Sequence, residues 1–256
     1  MKNRFVCLKS LTLLFLLSQL FAACATEQSM VDQNALKQRY RAAVADAAVA
    51  EPSEISRNLV AILPSNERLV WKNRNDSLNT RVLVVTWTNY NGYDGKVGQP
   101  VMVSREIWVT TVPEVKKFCE QQKVQGALRL EQLLGLPPNN GKTKFVEMWV
   151  KPSDLYRPSA DPEITDREAE TGFHTTNAYI KVNDEFKKWY NDLKAQSYGD
   201  NGYPWTRLGY TYDWGKEKNH IGMSEFVILP GATVEINSIS TTEEYEGGKK
   251  RRADCQ

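Results

Sequence analysis

The segment Tyr203–Gly215, YPWTRLGYTYDWG, holds the densest set of side chains suited to gripping a ligand. At the two-residue period of a strand, Leu208, Tyr210, Tyr212 and Trp214 share one face, and Arg207, Thr211 and Asp213 the other. Tyr203 and Trp205 precede them. Flat rings beside hydrogen-bonding groups suit a sugar ring, which needs a stacking surface with donors and acceptors at its rim. Tyr90 and Tyr93, in the polar stretch Thr88-Asn89-Tyr90-Asn91-Gly92-Tyr93-Asp94, are expected in a loop that lines the same cleft. Aromatic residues also fill cores, where Tyr and Trp keep one polar handle, so a wholly structural use of these rings stands beside the ligand surface.

Carboxylates concentrate elsewhere. Asp154, Asp161, Glu163 and Asp166 lie in a Pro-rich stretch with Arg157 among them. Calcium favours such oxygens, but the alternating Asp-x-Asx-x-Asx-Gly loop is missing. A glycosidase needs two carboxylates across a cleft, one of them desolvated as the acid, and sequence does not reveal their separation. Turn and helix-capping roles are the structural alternative.

Other catalytic constellations are not found. His174 and His220 are far apart in polar stretches, and no His-Glu-x-x-His or Cys-x-x-Cys spacing exists, so no metal ligand set is assigned. There is no Gly-x-Ser-x-Gly elbow. Asn140-Gly141-Lys142-Thr143 echoes only the end of a phosphate loop and reads as a turn. No catalytic residue and no cofactor is assigned. Arg105 interrupts an apolar strand face, so it reaches the sheet edge, pairs with a buried carboxylate or meets an anionic ligand. Cys119 sits on an apolar helical stripe with Val112 and Val115, as an inert buried thiol or as a disulfide partner of Cys255.

The elements that must position these groups follow from periodicity. Residues 28–50 read as a helix, either a stalk or an element packed on the domain. Ser53 is expected to cap a short helix through Ile62. Arg81–Thr88 reads as a covered central strand, Val101–Thr110 as a second and Phe145–Val150 as a third. Helices are expected from Thr111 to about Lys123, with Pro113 in the first turn, over Leu128–Leu134, and through Tyr179, Val182, Phe186, Trp189 and Leu193. Phe226–Leu229 and Thr233–Ile239 flank Pro230-Gly231 and predict a hairpin. Strands and helices mix without a βαβ cadence. The expected fold class is α+β, a single domain with a mixed, mostly antiparallel sheet and packed helices, preceded by an N-terminal helix.

The first residues carry a different message. Lys2, Arg4 and Lys9 precede the apolar run Leu11–Phe21, then Ala22, Ala23 and Cys24. Cation, apolar core and small residues in that order mark an export signal, and the run is too short to span a bilayer. Leu20-Phe21-Ala22-Ala23-Cys24 resembles the lipobox of bacterial lipoproteins, which implies cleavage before Cys24 and acylation of its thiol. Cleavage after Ala25, at Ala23-Cys24-Ala25, is the competing cut and gives a secreted soluble protein. The expected organisation is an export signal over 1–23, a helix or stalk over 24–52, a globular domain over 53–242 and a polar tail over 243–256, which contains Lys249-Lys250-Arg251-Arg252.

Removing Lys2, Arg4 and Lys9 lowers the 33 Lys+Arg to 30, against 31 Asp+Glu, so the mature chain has no basic excess for a nucleic acid. The expected partners are a lipid bilayer, through acylated Cys24, and a glycan or an envelope protein. The expected location is the periplasm or cell surface. The function expected is non-catalytic binding or assembly through the aromatic surface, with a glycan-directed envelope hydrolase using paired carboxylates as the alternative.

Overall fold

The computed structural model describes residues 32–173 and 182–247. Within them the chain is an α+β fold with five helices and a mostly antiparallel eight-stranded sheet. The export signal, Cys24, His174, Tyr179, Cys255 and the basic tail lie outside the described residues. No helix among the described residues is long and apolar enough to cross a membrane.

Along the chain, helix α1 occupies 32–47. The strands are β1 (Trp71–Lys72), β2 (Arg81–Thr88), β3 (Pro100–Met102), β4 (Ile107–Thr111), β5 (Lys144–Val150), β6 (Leu155–Tyr156), β7 (Tyr210–Tyr212), β8 (Ile221–Ser224), β9 (Phe226–Ile228) and β10 (Thr233–Thr241). The other helices are α2 (Glu114–Gln122), α3 (Ala127–Leu133), α4 (Asp184–Ser197) and α5 (Thr242–Tyr245). The main sheet has the order β3-β10-β5-β2-β4-β9-β6, with β1 beside β2, and β7 and β8 form a separate pair.

The β-branched run of β2 makes it the spine. It pairs with β5 along the whole register from Val82↔Val150 to Thr88↔Lys144. Alternation then sorts its side chains between two cores. Val82 and Val84 join Val146, Met148 and Val150 on one face, closed by Val60, Ile62, Leu69 and Ile164 from extended segments. Leu83, Val85 and Trp87 join Phe145 on the other, covered by Val115 and Cys119 of α2, Leu130 of α3 and Tyr245 of α5. Further along, α4 contributes Phe186 and Tyr190 to a cluster around Trp205, with Trp108 against it. Each fully buried aliphatic side chain contributes about 1.5–3 kcal/mol, so these clusters set the architecture.

Several expectations change. Residues 53–62 do not form a helix: one 3-10 turn at Pro52–Glu54 gives way to an extended segment. Leu59 N–H donates to the Arg167 carbonyl (2.9 Å) and Ile62 N–H to that of Ile164 (2.6 Å). Leu59, Val60, Ala61 and Ile62 are consecutive and all buried, and a surface helix cannot bury four consecutive residues. The expected strand 101–110 breaks at Ser104-Arg105 into β3, which pairs with β10, and β4, which pairs with β2 and β9. The predicted hairpin is absent as well. The turn at Pro230-Gly231 exists, with Gly231 at φ +94°, but β9 pairs with β4 and β6, and β10 with β5 and β3. The turn instead clamps Val103, whose N–H donates to the Ala232 carbonyl and whose carbonyl accepts from Gly231 N–H, both at 2.8 Å. The helix expected around Val182–Leu193 starts later, capped by Asn183, whose Oδ1 accepts from Phe186 N–H at 2.7 Å. Of the two roles open to the N-terminal helix, α1 takes packing: Tyr40, Ala43, Val44 and Ala47 are buried against Tyr212 and Trp214.

Candidate functional site: a cleft in the fork of the sheet

The site follows from where the sheet stops pairing. Strands β2 and β4 are laddered only at Val84↔Thr111 and Val85↔Thr110. Continuing that register would pair Trp87 with Trp108. Instead β4 turns to β9, pairing Trp108 with Val227, while Trp87 stays with Phe145 of β5. The strands fork, and a cleft of about 900 Å3 opens between Thr86–Thr88 and Ile107–Val109. Volumes of this order accommodate a small ligand or a few sugar units.

Loops complete the walls. The segment 88–93 turns over at a 3-10 turn, Asn91–Tyr93. Tyr90 N–H donates to Thr88 Oγ1 (3.0 Å), and the Tyr90 and Tyr93 rings meet edge to face at 5.1 Å. A Cβ on Gly92 would come within 2.2 Å of the Tyr90 ring, so this glycine lets the ring fold back over the backbone. The Arg105 guanidinium lies 5.5 Å from the Tyr90 ring centroid, a cation–π distance, which answers where this residue goes at the break between β3 and β4. On the other side, Tyr203 follows Gly202, where a Cβ would stand 2.1 Å from the Ser197 carbonyl oxygen. Tyr203 N–H donates to that carbonyl (2.7 Å), fixing the loop at the end of α4. Tyr90 and Tyr203 are half exposed, at 48% and 52%, whereas Tyr93, Trp87 and Trp205 behind them are buried.

The structure divides the sequence-predicted rings. Tyr90, Tyr93, Tyr203, Trp205 and Tyr212 line the cleft; Arg207, Tyr210, Asp213 and Trp214 do not. The strand reading of two opposed faces, one for ligand, fails for 207–214 because both faces are buried. Trp214 Nε1 donates to the Leu136 carbonyl (3.0 Å), the Tyr210 hydroxyl to the Glu54 carbonyl (2.9 Å) and the Tyr212 hydroxyl to Asp46 Oδ2 (2.7 Å). Asp213 is fully buried and holds Arg129 in a two-point pair at 2.9 and 2.7 Å. Arg207 donates to the Ala48 carbonyl at 2.8 Å and lies over the Tyr198 ring. These polar tips are spent on the protein itself.

The carboxylates of 154–166 also lie off the cleft. Arg157, with no exposed surface, pairs with Asp166 at 2.5 Å and donates to the Asp166 and Glu168 carbonyls, so it ties a loop. Asp161 Oδ1 accepts from Glu163 N–H, and burial raises the Asp161 pKa. Glu163 accepts from the Thr165 hydroxyl, and Asp154 from that of Ser153. Among the described residues no group of three or more His, Cys, Asp or Glu is arranged to hold a metal ion. The Cys119 thiol is 1% exposed, and burial pushes its pKa up to about 11.

Sequence reasoning missed three charged residues of the cleft, Glu106, Lys142 and Glu225. Glu106 Oε1 accepts from Trp189 Nε1 at 2.6 Å. Glu225 joins β8 to β9, and burial raises its carboxyl pKa to about 8. A lone acid placed directly before the apolar strand Phe226-Val227-Ile228 was the available signal. Lys142, set aside with its turn, lies partly buried, and desolvation lowers its pKa. Compared with family models, curated proteins and solved structures, the chain matches none.

Proposed function

We propose that this is an exported, lipid-anchored glycan-binding protein whose ligand occupies the fork between β2 and β4. The observation that carries the reading is the pair of half-exposed rings, Tyr90 and Tyr203, on a cleft that is also lined by Thr88, Asn89, Asn91 and Asn140. Exposed rings offer stacking faces, and the amides and hydroxyls supply donors and acceptors at a sugar's edge. Export and anchoring rest on the leader and the lipobox-like residues ending at Cys24.

Tryptophan fluorescence and calorimetry against soluble oligosaccharides test the binding role. Saturable binding is expected, weakened about tenfold by Tyr90→Ala or Tyr203→Ala, the scale of one lost ring contact of about 1–1.5 kcal/mol. No saturable response to any glycan tested at millimolar concentration would end the proposal. Mass spectrometry of the mature protein tests the anchor: an acylated Cys24 supports it, and a free Thr26 refutes it.

Glu225 gives the hydrolase reading its one specific support, because a carboxyl titrating near pH 8 is protonated at neutral pH, as a general acid must be. The register argues against a two-carboxylate centre. Continuing the β4–β9 pairing by one residue sets Glu225 opposite Thr110, four residues along the strand from Glu106. That separates their backbones by about 13 Å, so the two carboxyl groups reach the roughly 5–9.5 Å spacing of glycosidases only by turning toward each other, and Glu106 Oε1 is instead held by Trp189 Nε1. Binding without cleavage is the better fit, and intact oligosaccharide after prolonged incubation is the expected result.

A further inference from the structure

The charged groups of the cleft point to the kind of glycan, an inference that rests on the binding role proposed above. Three nearby cations are neutralised by carboxylates: Lys144 of β5 pairs with Asp94 at 2.6 Å, Lys116 of α2 with Glu147 at 2.8 Å and Lys72 of β1 with Glu235 at 2.8 Å. Lys142 and Arg105 line the cleft, and among the described residues neither ion-pairs with a carboxylate. A partly buried ammonium loses hydration without compensation unless an anion reaches it. Lys142 shows that loss in its lowered pKa.

Both cations border the same stretch of chain. Thr143, the residue after Lys142, donates its N–H to the Thr88 carbonyl at 3.2 Å. Tyr90 N–H in turn bonds Thr88 Oγ1, and Arg105 lies over the Tyr90 ring. Glu225, by contrast, sits at the junction of β8 and β9, where its N–H donates to the Gly209 carbonyl at 3.0 Å. The cleft therefore has two cations, Lys142 and Arg105, bordering the stretch that carries the Tyr90 ring; of its two carboxylates, Glu106 is engaged by Trp189 Nε1 and Glu225 lies at the β8–β9 junction.

We infer that the cleft selects an acidic sugar, with the ring of the sugar against Tyr90 and its anionic group between Lys142 and Arg105. The anion could be a carboxylate or a phosphate, since both accept from an ammonium and a guanidinium.

Calorimetry on the full mature chain with matched probes tests this. The probes are uronate-, muramate- and sialate-bearing trisaccharides, each beside its methyl ester, and a phosphorylated trisaccharide beside its dephosphorylated form. Methyl esterification removes the charge and keeps the rings. At least tenfold tighter binding of an acidic probe than of its neutral counterpart is expected, with affinity falling as salt rises. Lys142→Met and Arg105→Gln should each reduce that preference by fivefold or more. Lys142→Met removes an unpaired, partly buried charge, so its melting temperature should equal or exceed that of the parent. Preference for a carboxylate or for a phosphate supports the inference and names the anion. Equal binding of charged and neutral probes overturns it and leaves glycan binding standing; no binding of any probe overturns both.

Discussion

Two aromatic regions of this chain look alike in sequence and serve opposite ends. The run 205–214 mixes Trp and Tyr with hydroxyl and charged side chains, and the run 87–93 mixes them with hydroxyl and amide side chains. In the first, α1 on one side and the segment around Leu59 on the other close over the rings, and the polar tips of Trp205, Tyr210, Tyr212 and Trp214 all bond back to the protein. In the second, the parting of β2 from β4 leaves the rings beside open space. The difference teaches that an aromatic-rich segment becomes a surface only where the backbone next to it runs out of partners. Composition does not decide it.

The contrast can be broken by experiment. The largest effect is expected from Trp214→Ala, which removes a 2% exposed indole packed edge to face on Tyr40 at 5.8 Å. A loss of about 4 kcal/mol in urea unfolding is expected, with glycan affinity unchanged wherever the protein stays folded. A loss below about 1 kcal/mol would mean the segment is not core.

Glu225→Gln should produce an effect of similar size that depends on pH. The folded carboxyl titrates at about 8, above its ordinary value of 4.5. Below pH 4.5 it is neutral in both states; between 4.5 and 8 only the unfolded chain gives up the proton, so stability falls across that window. Glutamine removes the penalty. The variant should match the parent at pH 4 and exceed it by roughly 4 kcal/mol at pH 9. Equal stability at both pH values would show that the carboxyl is well solvated.

Tyr212→Phe touches one hydrogen bond, the hydroxyl to Asp46 Oδ2 that ties the segment to α1. It should cost about 1 kcal/mol in thermal or urea unfolding. The smallest change in stability, within about 0.5 kcal/mol, is expected from Tyr203→Ala at the half-exposed side of the cleft, the variant expected to lose about tenfold in glycan affinity. If Tyr203→Ala unfolds the protein as readily as Trp214→Ala, the rim of the cleft is core like the run 205–214 and the cleft loses its claim as a binding surface.

Much of the fold was legible because local chemistry and burial agree there. The bounds of β2 fall where its β-branched run begins and ends, at Arg81 and Thr88. The helix after Pro113 ends at Gln122, a residue from its expected end, and the next covers Ala127–Leu133, a residue off at each end, but the first starts at Glu114 and not at Thr111, which is the last residue of β4. Pairing was not legible. Pro230-Gly231 specifies a turn, but a turn fixes only a change of direction, and the strands it joins found better partners in β4 and β5. Of the nine residues expected at a ligand surface, five line the cleft, because one-dimensional period distinguishes two faces of a strand without saying which faces a neighbour covers. Glu225 escaped notice, and Lys142 was read only as part of a turn, because a single charge carries no pattern until its surroundings are known.

By itself the sequence determined the α+β class and the positions of most helices and strands, since each follows from residue spacing and from the local cost of burying or exposing a side chain. Only the tertiary structure decided which aromatic run is buried and where the sheet opens. Both depend on contacts between residues far apart along the chain, Tyr212 with α1, and Trp87 parted from Trp108, and such contacts leave no local period to read.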